Sequence, residues 1–109
     1  MAKKSLRYKV RDHEFCIREN SWIAMLAARK LKSSQVAVTI GKTIHLWYTS
    51  SGEFLTNISW VNHELCHVQQ FKRYGYLKFI TMYLYESIRN GYTKNKFEIE
   101  AREAEKFSE

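Results

Sequence analysis

Apolar residues recur every three or four positions after Asn57, at Ile58, Val61, Leu65, Val68 and Phe71. This spacing predicts an amphipathic helix that begins near Asn57 and ends before Gly75. A second amphipathic pattern, capped by Asn20 or Ser21, predicts a helix from Trp22 to Leu31. The apolar segment from Leu77 to Ile88 predicts a third helix. A fourth is predicted from Lys96 to Glu105, which is rich in Glu, Ala and basic residues.

Apolar and polar residues alternate in two regions ahead of the helix at Asn57. One runs from Val36 to Tyr48 around Gly41 and predicts two short strands or one strand with a bulge. The other runs from Leu6 to Ile17 and predicts an edge strand or a hairpin around Asp12. The pattern therefore predicts a helix-dominated α+β fold, with a short sheet or hairpin before the central helix and a glutamate helix at the C-terminus. At 109 residues and 45% hydrophobic, without a Pro- or Gly-rich linker, residues 1–109 are predicted to form one domain.

The helix predicted after Asn57 carries the motif His63-Glu64-Leu65-Cys66-His67, which has the form HExxH. Positions i and i+4 of a helix share a face, so the imidazoles of His63 and His67 can converge on one metal ion. Glu64 is then turned toward the open side of that ion, where it can accept a proton from an attacking water molecule. With zinc as the metal, this is the working part of a metallopeptidase. The alternative is a surface helix that carries two unrelated histidines.

A catalytic zinc usually takes three protein ligands, so a third ligand is needed. No histidine follows His67, and the only aspartate, Asp12, lies far upstream. The candidates that remain are the downstream glutamates, Glu86, Glu98, Glu100, Glu103, Glu105 and Glu109. In the C-terminal helix Glu98 flanks the apolar stripe formed by Phe97, Ala101 and Ala104, so Glu98 can face the interior. Glu86 stays open as an alternative because it can face inward from the preceding helix.

Three stretches of the chain, taken in order, resemble a minimal gluzincin: Ala37–Leu46, Trp60–Phe71 and Phe97–Ala101. Over roughly residues 36 to 105 the chain is similar to small metallopeptidase-like domains of unknown function. Those domains carry an A-x-T-x-G-x-x-I strand before HExxHVxQ and end in ExEAD. The resemblance implies a zincin-like domain in which Glu98 is the third metal ligand. The chain departs from the pattern at Arg102, where the family often has an aspartate that orients a ligand histidine.

The predicted activity is zinc-dependent hydrolysis of peptide bonds, with one zinc ion per chain held by His63, His67 and Glu98, and Glu64 as the general base. Candidates for the group that stabilises the oxyanion are Tyr83, Tyr85, Tyr92 and His45. An exposed strand edge would bind an extended peptide by adding it to the sheet, so the predicted substrate is a flexible peptide or protein. Because a short chain has little room for a deep cleft, restricted activity is predicted. Residues 105–109 could also cover the site and keep it latent.

The charge balance of 18 Lys and Arg against 11 Asp and Glu, or +7, supports a different class of function. Basic clusters such as Lys3, Lys4, Arg7, Lys9 and Arg11 could meet the phosphates of a nucleic acid, although no recognised nucleic-acid motif accompanies them. A further alternative is a non-catalytic module in which zinc only stabilises a small fold. The presence of Glu64 speaks against that alternative, since a structural zinc site needs no base.

Neither a membrane span nor a secreted location is predicted. The segment from Leu77 to Ile88 is too short to cross a bilayer and contains Lys78. The residues after Met1 lack the apolar stretch of a signal peptide, so a cytoplasmic location is predicted. In that compartment Cys16 and Cys66 are expected to be reduced thiols.

Overall fold

A computed structural model describes residues 6–106 of the chain. Lys3 and Lys4 of the basic cluster, and residues 107–109 of the segment predicted to cover the site, lie outside the described residues. The chain divides into two compact units, Met1–Asn57 and Ile58–Glu109. The described residues form five helices and one four-stranded mixed sheet, which confirms the predicted α+β fold. That residues 1–109 act as one domain stays a prediction.

The first unit contains the whole sheet and two helices, in the order β1 (Leu6–Val10), β2 (His13–Arg18), α1 (Trp22–Leu31), β3 (Val36–Ile40), β4 (Thr43–Trp47) and α2 (Ser51–Thr56). The strands lie in the order β1-β2-β4-β3, so β1 and β3 are the edges of the sheet. Strands β2 and β4 pair in parallel, and both outer pairs are antiparallel. Binding of an extended peptide to a strand edge stays a prediction.

Turn residues explain why the two alternating regions form hairpins. Arg11 and Asp12 both have positive φ, which suits a two-residue turn whose twist matches that of the flanking strands. Gly41, with a φ of 66°, turns the chain between β3 and β4, so this region forms two strands and not one strand with a bulge. Ser21 caps α1 by accepting a hydrogen bond from the backbone N–H of Ile23 at 3.2 Å.

The second unit is formed by three helices, α3 (Ile58–Tyr74), α4 (Tyr76–Asn90) and α5 (Lys96–Ala104). Gly75 and Gly91 end the first two helices. Their φ values of 88° and 82° are readily adopted by glycine and are unfavourable for residues that have a side chain. All three helices lie where the sequence pattern predicts them. Within residues 6–106, no helix is both long enough and apolar enough to cross a membrane.

An aromatic core joins the three helices of the second unit. The ring of Phe79 on α4 lies 4.6 Å from that of Phe71 on α3 and 5.0 Å from that of Phe97 on α5, measured between centroids. All three side chains are buried, and Tyr74 and Tyr83 pack around them. Since Phe97 directly precedes Glu98, this core fixes the first turn of α5 and with it the position of the Glu98 carboxylate.

Replacing Phe97 by alanine is expected to lower the free energy of unfolding by about 3–5 kcal/mol, because it removes a buried ring and leaves a cavity between helices. Urea denaturation followed by circular dichroism measures the loss. Ile99 lies on the same helix and is 44% exposed, so Ile99→Ala is the matched control, with an expected change of about 0.5 kcal/mol or less. Equal losses in the two variants would contradict a core role for Phe97.

Candidate metal centre

Helix α3 places the two histidines of the HExxH motif one turn apart, with ring centroids 5.1 Å from each other. Their Nε2 atoms converge on one carboxylate oxygen, Oε1 of Glu98 on α5. The distance is 3.1 Å from His63 and 3.3 Å from His67. The three ligand atoms lie within 4.8 Å of one another, and residues 6–106 contain no other group of three or more His, Cys, Asp or Glu side chains placed to hold a metal. Two imidazole nitrogens and one carboxylate oxygen are a donor set that suits zinc.

Contacts at the start of α5 position the Glu98 side chain next to the histidines. Asn95 is the N-cap residue of α5, and its Oδ1 accepts a hydrogen bond from the N–H of Phe97 at 2.8 Å. The Asn95 Nδ2 donates to the carbonyl of Tyr83 at 3.1 Å and to Oγ of Ser87 at 2.9 Å, which ties α5 to α4. Glu98 lies in the first turn of α5, where the helix dipole favours a negative charge. The Tyr83 hydroxyl donates to the other carboxylate oxygen of Glu98, Oε2.

The second ring nitrogen of each histidine has its own partner. The Nδ1 atom of His63 lies 2.6 Å from Oε2 of Glu105, and that of His67 lies 2.8 Å from Oε1 of Gln70. The Gln70 amide is oriented by its Nε2, which donates to Glu100 at 2.7 Å and to the carbonyl of Phe97 at 3.1 Å. Since carboxylate and amide oxygens only accept, both Nδ1 atoms donate. The Nε2 atoms are therefore the positions at which a proton and a metal ion compete.

Opposing effects set the pKa values of the three candidate ligands. Burial lowers the pKa of His67, but the hydrogen bond with Glu98 and the charges of Glu64 and Glu98 outweigh it and raise that pKa to about 9. The pKa of His63 is also raised, since the bond with Glu98 and the charge of Glu64 outweigh burial. Burial raises the pKa of Glu98, but hydrogen bonds from His63 and His67 hold it well below its usual range. Without a metal, His67 and Glu98 therefore carry opposite charges at neutral pH.

Zinc binding is expected to release protons and to weaken as the pH falls. A His67 pKa of about 9 means that its Nε2 carries a proton at pH 7, and a metal ion must displace it. The apparent affinity should therefore fall about tenfold for each pH unit below 9, and more steeply at a pH where His63 also carries a proton that zinc must displace. Titration calorimetry at pH 7 in buffers of different ionisation enthalpy counts the protons released. An affinity that does not change between pH 6 and pH 9 would contradict this prediction.

Glu64 is buried, with 5% of its surface exposed, although it carries a carboxylate. It follows His63 directly on α3, and its charge contributes to raising the pKa values of His63 and His67. The same charge contributes to raising the pKa of Tyr92 on the loop between α4 and α5. Glu64 therefore acts electrostatically on both candidate histidine ligands, without belonging to the ligand group.

Of the four predicted oxyanion-stabilising residues, two lie beside Glu98. Tyr83 donates to Glu98, and burial together with the Glu98 charge raises its pKa. Tyr92 is half exposed, and burial followed by the charges of Glu98 and Glu64 raises its pKa to about 12, so its hydroxyl keeps its proton. Tyr85 is exposed and accepts a hydrogen bond from Arg89 at 3.4 Å. His45 belongs to the first unit, where its Nδ1 lies 2.8 Å from Oγ of Ser21.

Glu86, the open alternative for the third ligand, has a different role. Its Oε1 accepts hydrogen bonds from the backbone N–H of Lys96 and from Nδ2 of Asn90, each at 3.2 Å. Glu86 therefore supports the start of α5, and Glu98 is the glutamate that meets the histidines. Cys66 lies next to the site, where burial, followed by the charge of Glu100, raises its pKa to about 12 and keeps it a thiol.

Two residues of the site, Gln70 and Glu105, had no predicted part in orienting the ligands. Gln70 follows His67 by three positions, and Glu105 follows Glu98 by seven, so helical spacing was the available signal for both. That zinc binds here stays a prediction, as does the resemblance to gluzincins. A scan of protein-family models, a search of curated proteins and a search of solved structures each found no match to this chain.

Proposed function

We propose that this protein is a zinc-dependent peptidase in which His63, His67 and Glu98 hold the metal. The observation that carries the proposal is the convergence of both Nε2 atoms on one oxygen of Glu98, at 3.1 Å and 3.3 Å. When bound, zinc acts as a Lewis acid that polarises a carbonyl group and lowers the pKa of a water molecule. The proposal takes the substrate to be a flexible peptide or protein, the class predicted from the strand pattern of the sequence.

The chain's own side chains divide the remaining work in this proposal. Glu64 accepts the proton of the attacking water and passes it to the leaving amine. Tyr83 holds the Glu98 carboxylate by donating to its Oε2. The hydroxyl of Tyr92, half exposed and protonated at neutral pH, donates to the oxygen on which negative charge develops.

The position of Glu64 separates this proposal from a zinc ion that only stabilises the fold. A structural zinc site needs no carboxylate beside its first ligand. A general base, in contrast, must lie within hydrogen-bond reach of the proton that it takes up. Glu64 follows the first candidate ligand directly on α3, and its charge acts on both histidines, which supports a catalytic role.

The test uses the wild-type protein. Its zinc content is measured by mass spectrometry after dialysis, and cleavage of a fluorescently labelled unfolded polypeptide is followed with and without a chelator. We expect one zinc ion per chain, and cleavage that stops with the chelator and returns with added zinc. Zinc without cleavage would favour a non-catalytic module, and failure to bind supplied zinc would overturn the proposal altogether.

A further inference from the structure

We infer that Glu105, at the C-terminal end of α5, is the positioning residue for His63, and that it sets how tightly the site holds zinc. This inference rests on the proposed zinc site and adds a residue to it. The resemblance to gluzincins implies an orienting aspartate at the position of Arg102, and this chain has none there. The described contacts provide a carboxylate from the next turn of the same helix instead.

The contact between Glu105 and His63 is short and well placed. Oε2 of Glu105 lies 2.6 Å from Nδ1 of His63, in the range of charge-assisted hydrogen bonds. The His63 side chain is 14% exposed and that of Glu105 is 40% exposed. The histidine is therefore shielded from solvent, whereas the glutamate is partly exposed to it. The bond therefore holds the imidazole plane while Nε2 faces Glu98.

Glu98 and Glu105 lie on the same face of α5. Glu98, Ala101 and Glu105 stand at positions i, i+3 and i+7, which lie on one side of a helix. Ala101 is fully buried between the two glutamates, and α5 packs against α3 along this face. The Ser59 hydroxyl donates to the carbonyl of Glu105 at 3.4 Å and links the end of α5 to the start of α3.

Arg102 makes a different contact from the aspartate that the resemblance implies at this position. The Arg102 guanidinium donates to the carbonyl of Thr93, in the loop between α4 and α5. Arg102 therefore stabilises the loop that presents Tyr92, and its side chain is directed to that loop and not to His63.

The two histidines are oriented by groups of unequal strength. His67 donates to the neutral amide of Gln70, whereas His63 donates to a carboxylate. A carboxylate acceptor makes the opposite ring nitrogen a stronger donor to a metal ion, and loss of such an outer partner typically weakens metal binding about 10- to 100-fold. Glu105 should therefore contribute to zinc affinity without contacting the ion.

The test compares three variants of the full chain, Glu105→Ala, Glu105→Gln and the control Glu103→Ala. Glu103 lies on the same turn of α5 but is exposed and pairs with Lys106 at 3.4 Å. Zinc affinity is measured by competition with a chromophoric chelator, and the visible absorption of the Co²⁺-loaded protein reports the geometry of the ligands. We expect zinc affinity to fall about 10- to 100-fold in Glu105→Ala, with an altered Co²⁺ spectrum. Glu105→Gln keeps an acceptor oxygen and should bind more tightly than Glu105→Ala, and Glu103→Ala should match the wild type.

Two results would overturn the inference while leaving the proposed function intact. One is a Glu105→Ala variant that binds zinc as tightly as Glu103→Ala. The other is a Glu105→Gln variant that binds no better than Glu105→Ala, which would indicate a general effect on folding and not a hydrogen bond to His63. A wild-type protein that binds no zinc would overturn the inference and the proposed function together.

Discussion

The Glu64→Gln variant is expected to keep its zinc and to lose peptide hydrolysis by about 100- to 10,000-fold, the usual contribution of a general base. Glutamine matches glutamate in size and fills the same buried position, so the fold and the ligands should be retained. Its amide cannot take up a proton, so the step that activates the attacking water is lost. Measuring kcat/KM on an unfolded polypeptide, together with zinc content, separates the two effects.

Glu86→Gln serves as the control for that variant, because Glu86 supports the backbone of Lys96 and is not a member of the candidate ligand group. Its rate should equal that of the wild type. Undiminished hydrolysis in Glu64→Gln would remove Glu64 as the base and point to a contaminating protease. Loss of zinc from Glu64→Gln would instead show that Glu64 takes part in holding the metal.

Removing Glu98, the third candidate ligand, is expected to weaken zinc binding strongly. In Glu98→Ala only the two imidazoles remain, and the negative charge beside them is lost. Zinc affinity should fall by more than about 100-fold, beyond the range for an orienting residue such as Glu105. Hydrolysis should fall with it. Competition with a chelator of known zinc affinity gives the size of the change.

Glu86→Ala is the matched control for Glu98→Ala, since both variants remove one glutamate carboxylate from the second unit. It should retain zinc, although the lost hydrogen bond to Lys96 weakens the start of α5 slightly. The reverse pattern, with zinc lost in Glu86→Ala and kept in Glu98→Ala, would show that the metal centre is assigned to the wrong carboxylate.

The helices and strands were predictable where their signals are local. The period of α3, the cap of α1 and the break at Gly75 are all visible in short windows of sequence. Helix α2 was not predicted, although Ser50 and Glu53 have the spacing of a capping box that the structure contains. The parallel pairing of β2 with β4 was also not predicted, because it joins strands separated by α1 and β3 and has no local signature.

The candidate site was predictable in part for the same reason. His63 and His67 face one way because their spacing in a single helix requires it, whereas a third ligand depends on how α5 is rotated against α3. The buried N-cap residue Asn95 and the core residue Phe97 set that rotation. Because the sequence patterns do not show it, Glu86 and Glu98 both remained possible as the third ligand. The roles of Gln70 and Glu105 follow from the same rotation, so they could be recognised only from the folded chain.

All three candidate ligands and the side chains that orient them lie between Ile58 and Lys106. The candidate metal centre is thus encoded in one continuous stretch of the chain, apart from the stretch that forms the sheet. Residues 6–57 supply neither a candidate ligand nor a partner of the ligands' ring nitrogens. Single substitutions in the sheet-forming stretch therefore leave this set of side chains unchanged, whereas a single substitution after Asn57 can remove one of its members.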